Sequence, residues 1–512
     1  MNKAQSEGQE ILADHREVSD RSNIASGRQN GISVEEAIRL SEQENQRQIE
    51  KHRPKGSTAE ELRNAYNPNR TTELGNAQRL EALAAIDLKF VPGIGWLFYD
   101  SGVWLADNHA ATEVYKNRVI DSLYKELEPL IANHDTEGIK RLSAWAKRSE
   151  EVKKAEGALG WAKSSPSFYT LPGKLDSDQM LLNVKNGTID LRTGRLRAHD
   201  RKDLITKLAP VNFDPNAKAP VFESFLLQIM GGDKELAGFI QRAVGYSLTG
   251  SVKEQCWFIC YGVGANGKGT LLNALLEILG SYGIQAAPDL LMLARNGGEK
   301  HPTEQADLMG RRLAVAQETE SGRQLAEVAV KQMTGGDKIK ARFMRGDFFQ
   351  FNPTHKLWLA TNHKPVIKDT TESTWRRIIL IPFEVVIPAE ERDKDLPEKL
   401  FNEFPGILAW AVAGCLEWQR SGLQIPAKVR AAVEEYREES DVIGRFLKDR
   451  TLKDAGNSEY LDKIFKSYQE WCNENNQGAT SSRGLSQSLQ ERGLQRVRKE
   501  LGMAFLGIRV MP

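Results

Sequence analysis

The chain has 512 residues, 40% hydrophobic and 27% charged, with 70 Lys and Arg against 69 Asp and Glu, a formal net charge of +1. This length calls for roughly two to four folded units, and the balanced charge excludes a whole-chain field as the means of choosing a partner, so any nucleic-acid surface must be local. No apolar run approaches the ~18 to 20 residues that span a bilayer, the start MNKAQSEGQEILADH lacks the apolar centre of a secretory signal, and four cysteines without a C-x-x-C pair exclude a disulfide framework and a thiolate zinc site, so a cytoplasmic location without a membrane partner is expected.

Residues 1–70 hold one aromatic, Tyr66, among Gln, Asn, Glu, Ser and Arg. That composition buries little apolar surface and predicts a polar, disordered tail, with one helix around SVEEAIRLSEQENQRQIEKH. Residues 71–245 read as a mainly helical domain with short hairpins. A helix leads to a hairpin through Trp96 and Trp104, and helical spacing follows at Val119, Leu123, Leu127 and Leu130. Alternation in LLNVKNGTIDLRTGRLRAHD, with Asn186-Gly187 and Thr193-Gly194 as turns, predicts short strands. The stretch FESFLLQIMGGDKELAGFIQRAVGYSLTG is helical again.

The segment 246–390 carries the chemistry. CWFICY is a buried strand, TLLNALLEILG an amphipathic helix, and between them runs Gly262, Val263, Gly264, Ala265, Asn266, Gly267, Lys268, Gly269 and Thr270. A G-x-x-x-x-G-K loop between strand and helix wraps phosphates with backbone N–H groups, and its lysine reaches the outer phosphates. Gly269 stands where the pattern asks for a serine or threonine that helps hold magnesium. In RRLAVAQETE a short apolar strand runs into Glu318 and Glu320, where a carboxylate could order the metal's water and polarise the attacking water. The strand KLWLATNHKP ends in Thr361 and Asn362, the place for a group that senses the terminal phosphate. Arg376 and Arg377 precede the strand IILIPF. Such an arginine can stay on its own subunit or reach a neighbour's nucleotide. Between acid and sensor strands, DKIKARFMRGDFFQF predicts a hairpin with a turn at residues 345–347, whose Lys340, Arg342 and Arg345 could grip a phosphate backbone.

Residues 391–448 read as a helical connector, and residues 449–512 as two helices followed by a two-stranded wing. From residue 481 onward, Arg483, Arg492, Arg496, Arg498, Lys499 and Arg509 face only Glu491 and Glu500, a local basic excess. Arg496, Arg498 and Lys499 are the candidate DNA contacts there.

In this order, YGVGANGKGT, HPTEQADLMGRRLAVAQETE, KQMTGGDKIKARF, FNPTHKLWLATNHKP and WRRIILIPF resemble the superfamily 3 helicases, and more closely the phage and plasmid primase-helicase family with its poxvirus-type relatives. The resemblance covers roughly residues 72–512. It implies an α/β fold: an AAA+ type P-loop ATPase core with a central parallel sheet, preceded by a mainly helical domain and followed by a winged-helix domain. It implies an ATP- and magnesium-dependent motor that assembles as a hexameric ring and moves on single-stranded or forked DNA in a phage, prophage or plasmid replication module. Lys268 would then be the phosphate lysine, Glu318 the catalytic acid with Glu320 near it, Asn362 the sensor, and Arg376 or Arg377 the finger from the next subunit. Thr270 and Glu318 are the candidate metal ligands. In that family the loop occurs in both GKST and GKGT forms. Here the paired acids of related helicases are Gln317-Glu318, which leaves open the carboxylate that orders the metal. A polymerase-like primase domain common in the family finds only a polar tail here, so a separate primase or polymerase is the expected partner. An ATP-dependent origin-binding initiator or helicase loader is the alternative; a nucleoside kinase would have no use for the hairpin or the basic C-terminal unit.

Overall fold

The computed structural model describes residues 70–293, 302–317, 322–342, 348–369 and 371–511. The expected polar tail before Arg70, the carboxylates Glu318 and Glu320, and Arg345 with its turn lie outside the described residues. By packing, the described chain divides into one unit of residues 70–90 and 111–170 and another of 91–110 and 171–511.

The first unit is helical. Helix α1 (Glu73–Ala84) starts on Thr72, whose Oγ1 accepts the Gly75 N–H at 3.1 Å and satisfies one open amide of the first turn. It carries Asn76 into the interior, where Nδ2 donates to Tyr115 Oη at 2.8 Å and Ser149 Oγ at 2.9 Å, and Oδ1 accepts from Trp145 Nε1 at 3.1 Å. Helices α2 (Thr136–Ser149) and α3 (Val152–Ala162) add to this unit; Ala155, Ala158, Leu159 and Ala162 form the buried stripe that a 3.6-residue period produces.

In the second unit, β1 (Gly95–Asp100) and β2 (Val103–Ala106) form the hairpin through Trp96 and Trp104, turning on Ser101 and Gly102, both at positive φ. Strands β3 (Leu181–Val184), β4 (Gly187–Asp190) and β5 (Arg195–Arg197) make an antiparallel meander. Helices α4 (Pro220–Ile229) and α5 (Lys234–Leu248) follow.

A five-stranded parallel sheet comes next, making this a mixed α/β fold. Its strands and the helices between them are β6 (Trp257–Tyr261), α6 (Lys268–Leu279), β7 (Gly283–Ala286), β8 (Leu313–Gln317), α7 (Glu327–Thr334), β11 (Lys356–Thr361) and β12 (Ile378–Pro382). A two-stranded hairpin, β9 (Ile339–Ala341) and β10 (Phe349–Phe351), is set between α7 and β11. The order is β12-β6-β11-β8-β7, with all neighbours parallel. Both faces are covered, so β6, β11 and β12 are near-continuous apolar runs. The strand leading to the acids is not beside the loop strand; β11, the sensor strand, lies between them.

Helix α8 (Phe404–Ser421) packs with α4 and α5 on one face of the sheet in a core that includes Phe222, Phe239, Phe258, Trp358, Ile407 and Trp418. This core runs through the boundary expected at 245/246 and takes in much of the stretch read as a connector. Two glycines allow it: a Cβ on Gly245 would stand 2.1 Å from the Cys415 amide nitrogen, and one on Gly414 would stand 2.1 Å from the Gln241 carbonyl oxygen. Only backbones without side chains approach this closely.

Helices α9 (Ala427–Ser440) and α10 (Val442–Arg450) lead to the C-terminal segment, where α11 (Leu461–Glu474) and α12 (Ser482–Glu491) pack on a sheet of order β13-β15-β14. Its strands are β13 (Thr451–Tyr460), β14 (Arg496–Lys499) and β15 (Gly502–Val510), and Phe446, Tyr468, Trp471, Leu485 and Phe505 form its core. The third strand, β13, is an addition to the two strands expected after the helices; a register shift between Asp454 and Ser458 breaks its period.

Candidate functional site

The glycine loop hangs between two strand ends. Gly262 N–H donates to Thr361 O at 3.3 Å on β11, while Asn266 Nδ2 donates to Phe383 O at 3.1 Å beyond β12. Gly262 is sterically required, since a Cβ there would lie 2.1 Å from Phe383 O. Gly267 is required twice over: its φ is +78°, and a Cβ would stand 2.6 Å from Ile229 Cγ2. Gly264 and Gly269, by contrast, have nothing within 4 Å of an added Cβ. The open space at these two positions lies over the loop and the first turn of α6, whose N-terminus has no side-chain cap. Uncapped first-turn amides and the helix dipole favour an anion there.

Lys268 is buried beneath the loop. Its ammonium donates to Gly262 O at 2.6 Å, Asn266 Oδ1 at 3.0 Å and Asn362 Oδ1 at 3.1 Å. All three acceptors are neutral oxygens, and no carboxylate pairs with it among the described residues. Burial pushes its pKa below the ordinary lysine value. The structure thus joins the predicted lysine and the predicted sensor amide at the carboxyl ends of adjacent parallel strands, where open α/β sheets take ligands. Gln317, in register with Ala360, ends β8 at the same edge, and its Nε2 donates to Asn273 Oδ1 of α6 at 2.8 Å.

Arg376 and Arg377 lie elsewhere. They precede Ile378, which pairs with Trp257 at the opposite end of β6 from the loop, and the four residue steps of this strand separate its ends by roughly 13 Å. Arg377 is half-buried and tied to Ser373 O, Thr334 Oγ1 and Gln255 O at 3.2, 3.2 and 3.4 Å. Arg376 is exposed, with one contact at 3.3 Å to Gln255 Oε1. Neither reaches Lys268 of its own chain.

A cavity of about 580 Å³ opens beside the loop, lined by Ala265, Gly267 and Thr270 together with Phe225, Gln228 and Ile387. Motif reading does not find the last three, because they come from distant parts of the chain and carry no motif of their own. The shape suits a nucleotide: an anion-favouring loop with a buried cation, continued by a half-apolar cavity. For a magnesium ion, Thr270 offers a hydroxyl at the cavity wall. On the hairpin, Lys340 and Arg342 are exposed, as are Arg496, Arg498 and Lys499 on β14.

A family model described as "D5 N terminal like" matches residues 77–231, and one described as a "Family of unknown function (DUF5906)" matches residues 260–377. A protein of Acanthamoeba polyphaga mimivirus named a "Putative helicase" is 26% identical over 326 residues, covering 59% of this chain and 34% of its own. "Putative helicase 022R" of Frog virus 3 is 26% identical over 395 residues, covering 61% of this chain and 40% of its own. The chain is related to viral proteins named as helicases. It spans between about a third and two fifths of the length of these relatives. The apo structure of the NrS-1 C-terminal region is similar with a TM-score of 0.47 and 10% identity, covering 82% of this chain and 96% of that one. The first match runs from within α1 to just past α4, and the second from the last residues of β6 to Arg377, the stretch that holds the loop, sensor and arginine pair. No helix among the described residues is long and apolar enough to cross a membrane.

Proposed function

We propose that the chain is the motor of a DNA helicase, an AAA+ type P-loop ATPase that binds ATP with magnesium and works as a ring on single-stranded DNA. The observation that supports this most is the Lys268–Asn362 contact at 3.1 Å under an uncapped helix N-terminus. A buried cation held only by neutral oxygens favours a polyphosphate, and the amide beside it can report whether the terminal phosphate is present. Loop amides bind the phosphates, Lys268 neutralises the outer ones, and the cavity by Phe225 and Gln228 takes the nucleoside. Magnesium, when bound, offsets charge on the phosphate oxygens; Thr270 and Glu318 are the residues proposed to hold it directly or through water. Glu318, with Glu320 near it, orients the attacking water. Arg376, exposed and at the far end of its strand, is the finger offered to a neighbouring copy, and Arg377 positions it.

In this reading Lys340, Arg342 and Arg345 grip the strand in a central channel, and the C-terminal α11–α12–β13–β15 segment is a winged helix whose Arg496, Arg498 and Lys499 meet DNA backbone. The test is hydrolysis of ATP and unwinding of a forked duplex by the wild type, Lys268→Ala and Glu318→Gln. Lys268→Ala should lose ATP binding, and Glu318→Gln should keep it while DNA-stimulated turnover falls at least a hundredfold, about the size of one lost catalytic group. Wild-type-like turnover in either variant overturns the assignment. Turnover without unwinding by the wild type would favour the loader.

A further inference from the structure

Two residues beyond Asn362, Lys364 occupies a three-way junction. Its ammonium lies 5.1 Å from the ring centroid of Tyr261, the last residue of β6 before the loop, and 5.5 Å from that of Tyr436 on α9. It pairs with Glu439 Oε2, also on α9, at 2.7 Å. Tyr436 and Glu439 stand one turn apart on the same helix face, and Tyr436 Oη donates to Pro365 O, so the end of α9 grips Lys364 and Pro365 together. The link back to Asn362 is tight: Thr361 Oγ1 donates to His363 O at 2.8 Å and accepts the His363 N–H at 3.0 Å. The link forward runs into the C-terminal segment. Helix α9 ends at Ser440, and Asp441 caps α10 by accepting the Gly444 N–H at 2.8 Å, while Arg492, just past α12, donates to both of its carboxylate oxygens at 2.9 and 2.5 Å. Between α9 and α12 lies a cleft of about 380 Å³, walled by Glu434 and Glu438 on one side and by Ser488 and Glu491 on the other.

We infer that Lys364 is a positioning residue, which carries the occupancy of the nucleotide site through Glu439 to the C-terminal segment, with Asp441 as the hinge. This rests on the reading of the loop as a nucleotide site and adds to it the element that the site governs. Asn362 Oδ1 accepts from the Lys268 ammonium at 3.1 Å. A terminal phosphate competes for that ammonium, so the amide changes partner and the turn that carries it shifts. The tight turn passes the shift to Lys364, and the ion pair passes it to α9 two residues before Asp441. Strength is not what this pair supplies. The Glu439 side chain is 51% exposed, and an ion pair open to water on one side adds little to stability. It fixes the sensor turn to the end of a helix, and a cleft with carboxylates on both walls leaves α12 room to answer.

The test is amide hydrogen exchange of the full chain, without DNA, in the presence and absence of a non-hydrolysable ATP analogue. In the wild type the analogue should change exchange in α10 and α12 by about fivefold or more, the lower end of ordinary coupling between sites. Glu439→Gln and Lys364→Met should each bind the analogue as the wild type does and lose that change. The double variant should lose no more than either single one, and Lys364→Arg should keep the response. A purely structural pair would behave differently: its removal would alter exchange in the nucleotide-free chain and leave the response to nucleotide intact, and that pattern overturns the inference. So does a wild type that binds the analogue with α10 and α12 unchanged, or a folded Lys364→Met that no longer binds it. If Lys364→Met does not fold, Glu439→Gln, altered at an exposed site, decides alone. A wild type that binds no analogue overturns the nucleotide reading as well.

Discussion

Two glycines of the loop, two positions apart, make opposite predictions. At Gly267 the backbone is left-handed and Ile229 blocks a side chain. Gly267→Ala should therefore cost about 1–2 kcal/mol in the backbone alone and lose ATP binding, read by titration of a fluorescent analogue against a chain whose far-UV spectrum is unchanged. At Gly269 the space is open, so Gly269→Ser should fold as wild type and bind ATP at least as well. If it does not, the missing hydroxyl is excluded by something other than room. Thr270→Ala tests the neighbouring hydroxyl directly: a raised magnesium requirement places it at the metal, and an unchanged one leaves the ion to water and carboxylate. Lys268 adds a pH signature. Its folded pKa lies below the ordinary 10.5, so in the window between the two values the unfolded chain binds the extra proton and stability rises with pH. Phosphate binding needs the charged form, so ATP affinity should fall with rising pH before 10.5 is reached; a flat response to that value would remove Lys268 from the phosphates.

Among the elements, the pairing of α5 with α8 is the most exposed to substitution. Gly414→Ala puts a methyl group onto the Gln241 carbonyl and should cost about 1–3 kcal/mol, the usual price of overpacking, read from the midpoint of chemical unfolding. The far end of α5 is held differently. Arg312 Nη1 donates to Leu248 O and Nη2 to Leu181 O, each at 2.6 Å, and Lys356 Nζ donates to Thr249 O and, at 3.0 Å, to Thr354 O. Lys356→Met leaves these carbonyls buried without a donor and should lower stability by about 1–3 kcal/mol with the apolar volume kept; no loss would mean that water replaces the ammonium. These features mark what the sequence could and could not tell. β6, β8, β11 and β12 were legible because strands covered on both faces are apolar runs, and the loop was legible because glycine and lysine are confined by chemistry. The insertion of β11 between loop and acid strands was not, since strand order depends on crossovers that leave no local pattern. Nor were Gly245, Gly414 and the cavity residues Phe225 and Ile387, whose roles arise only when segments distant in the sequence meet. β7 is four residues long and mixed in polarity, too short to announce a period.

For the whole molecule, the separation of Arg376 from Lys268 bears on the proposed assembly of several copies. On the proposed assignment, mixing Lys268→Ala chains with Arg376→Ala chains in equal amounts should restore about a quarter of wild-type hydrolysis, because one interface in four joins an intact lysine to an intact arginine. Either variant alone should be inactive, and a mixture no better than its parts would return the arginine to its own chain. Single-strand affinity should also fall steeply with salt, by about tenfold or more between 50 and 200 mM, as several phosphate contacts release counterions; weak dependence would argue against the basic hairpin and β14 as backbone contacts. Because the loop follows β6 and the arginine precedes β12 at the opposite edge of the sheet, the proposed assignment would move ownership of a reaction centre from the chain to the junction between chains. An open row of copies then has one fewer working centre than members, and closing the row adds the last. On that assignment completing the circle would itself be an activation step, and an Arg376→Ala member would silence a centre belonging to its neighbour while its own stayed intact.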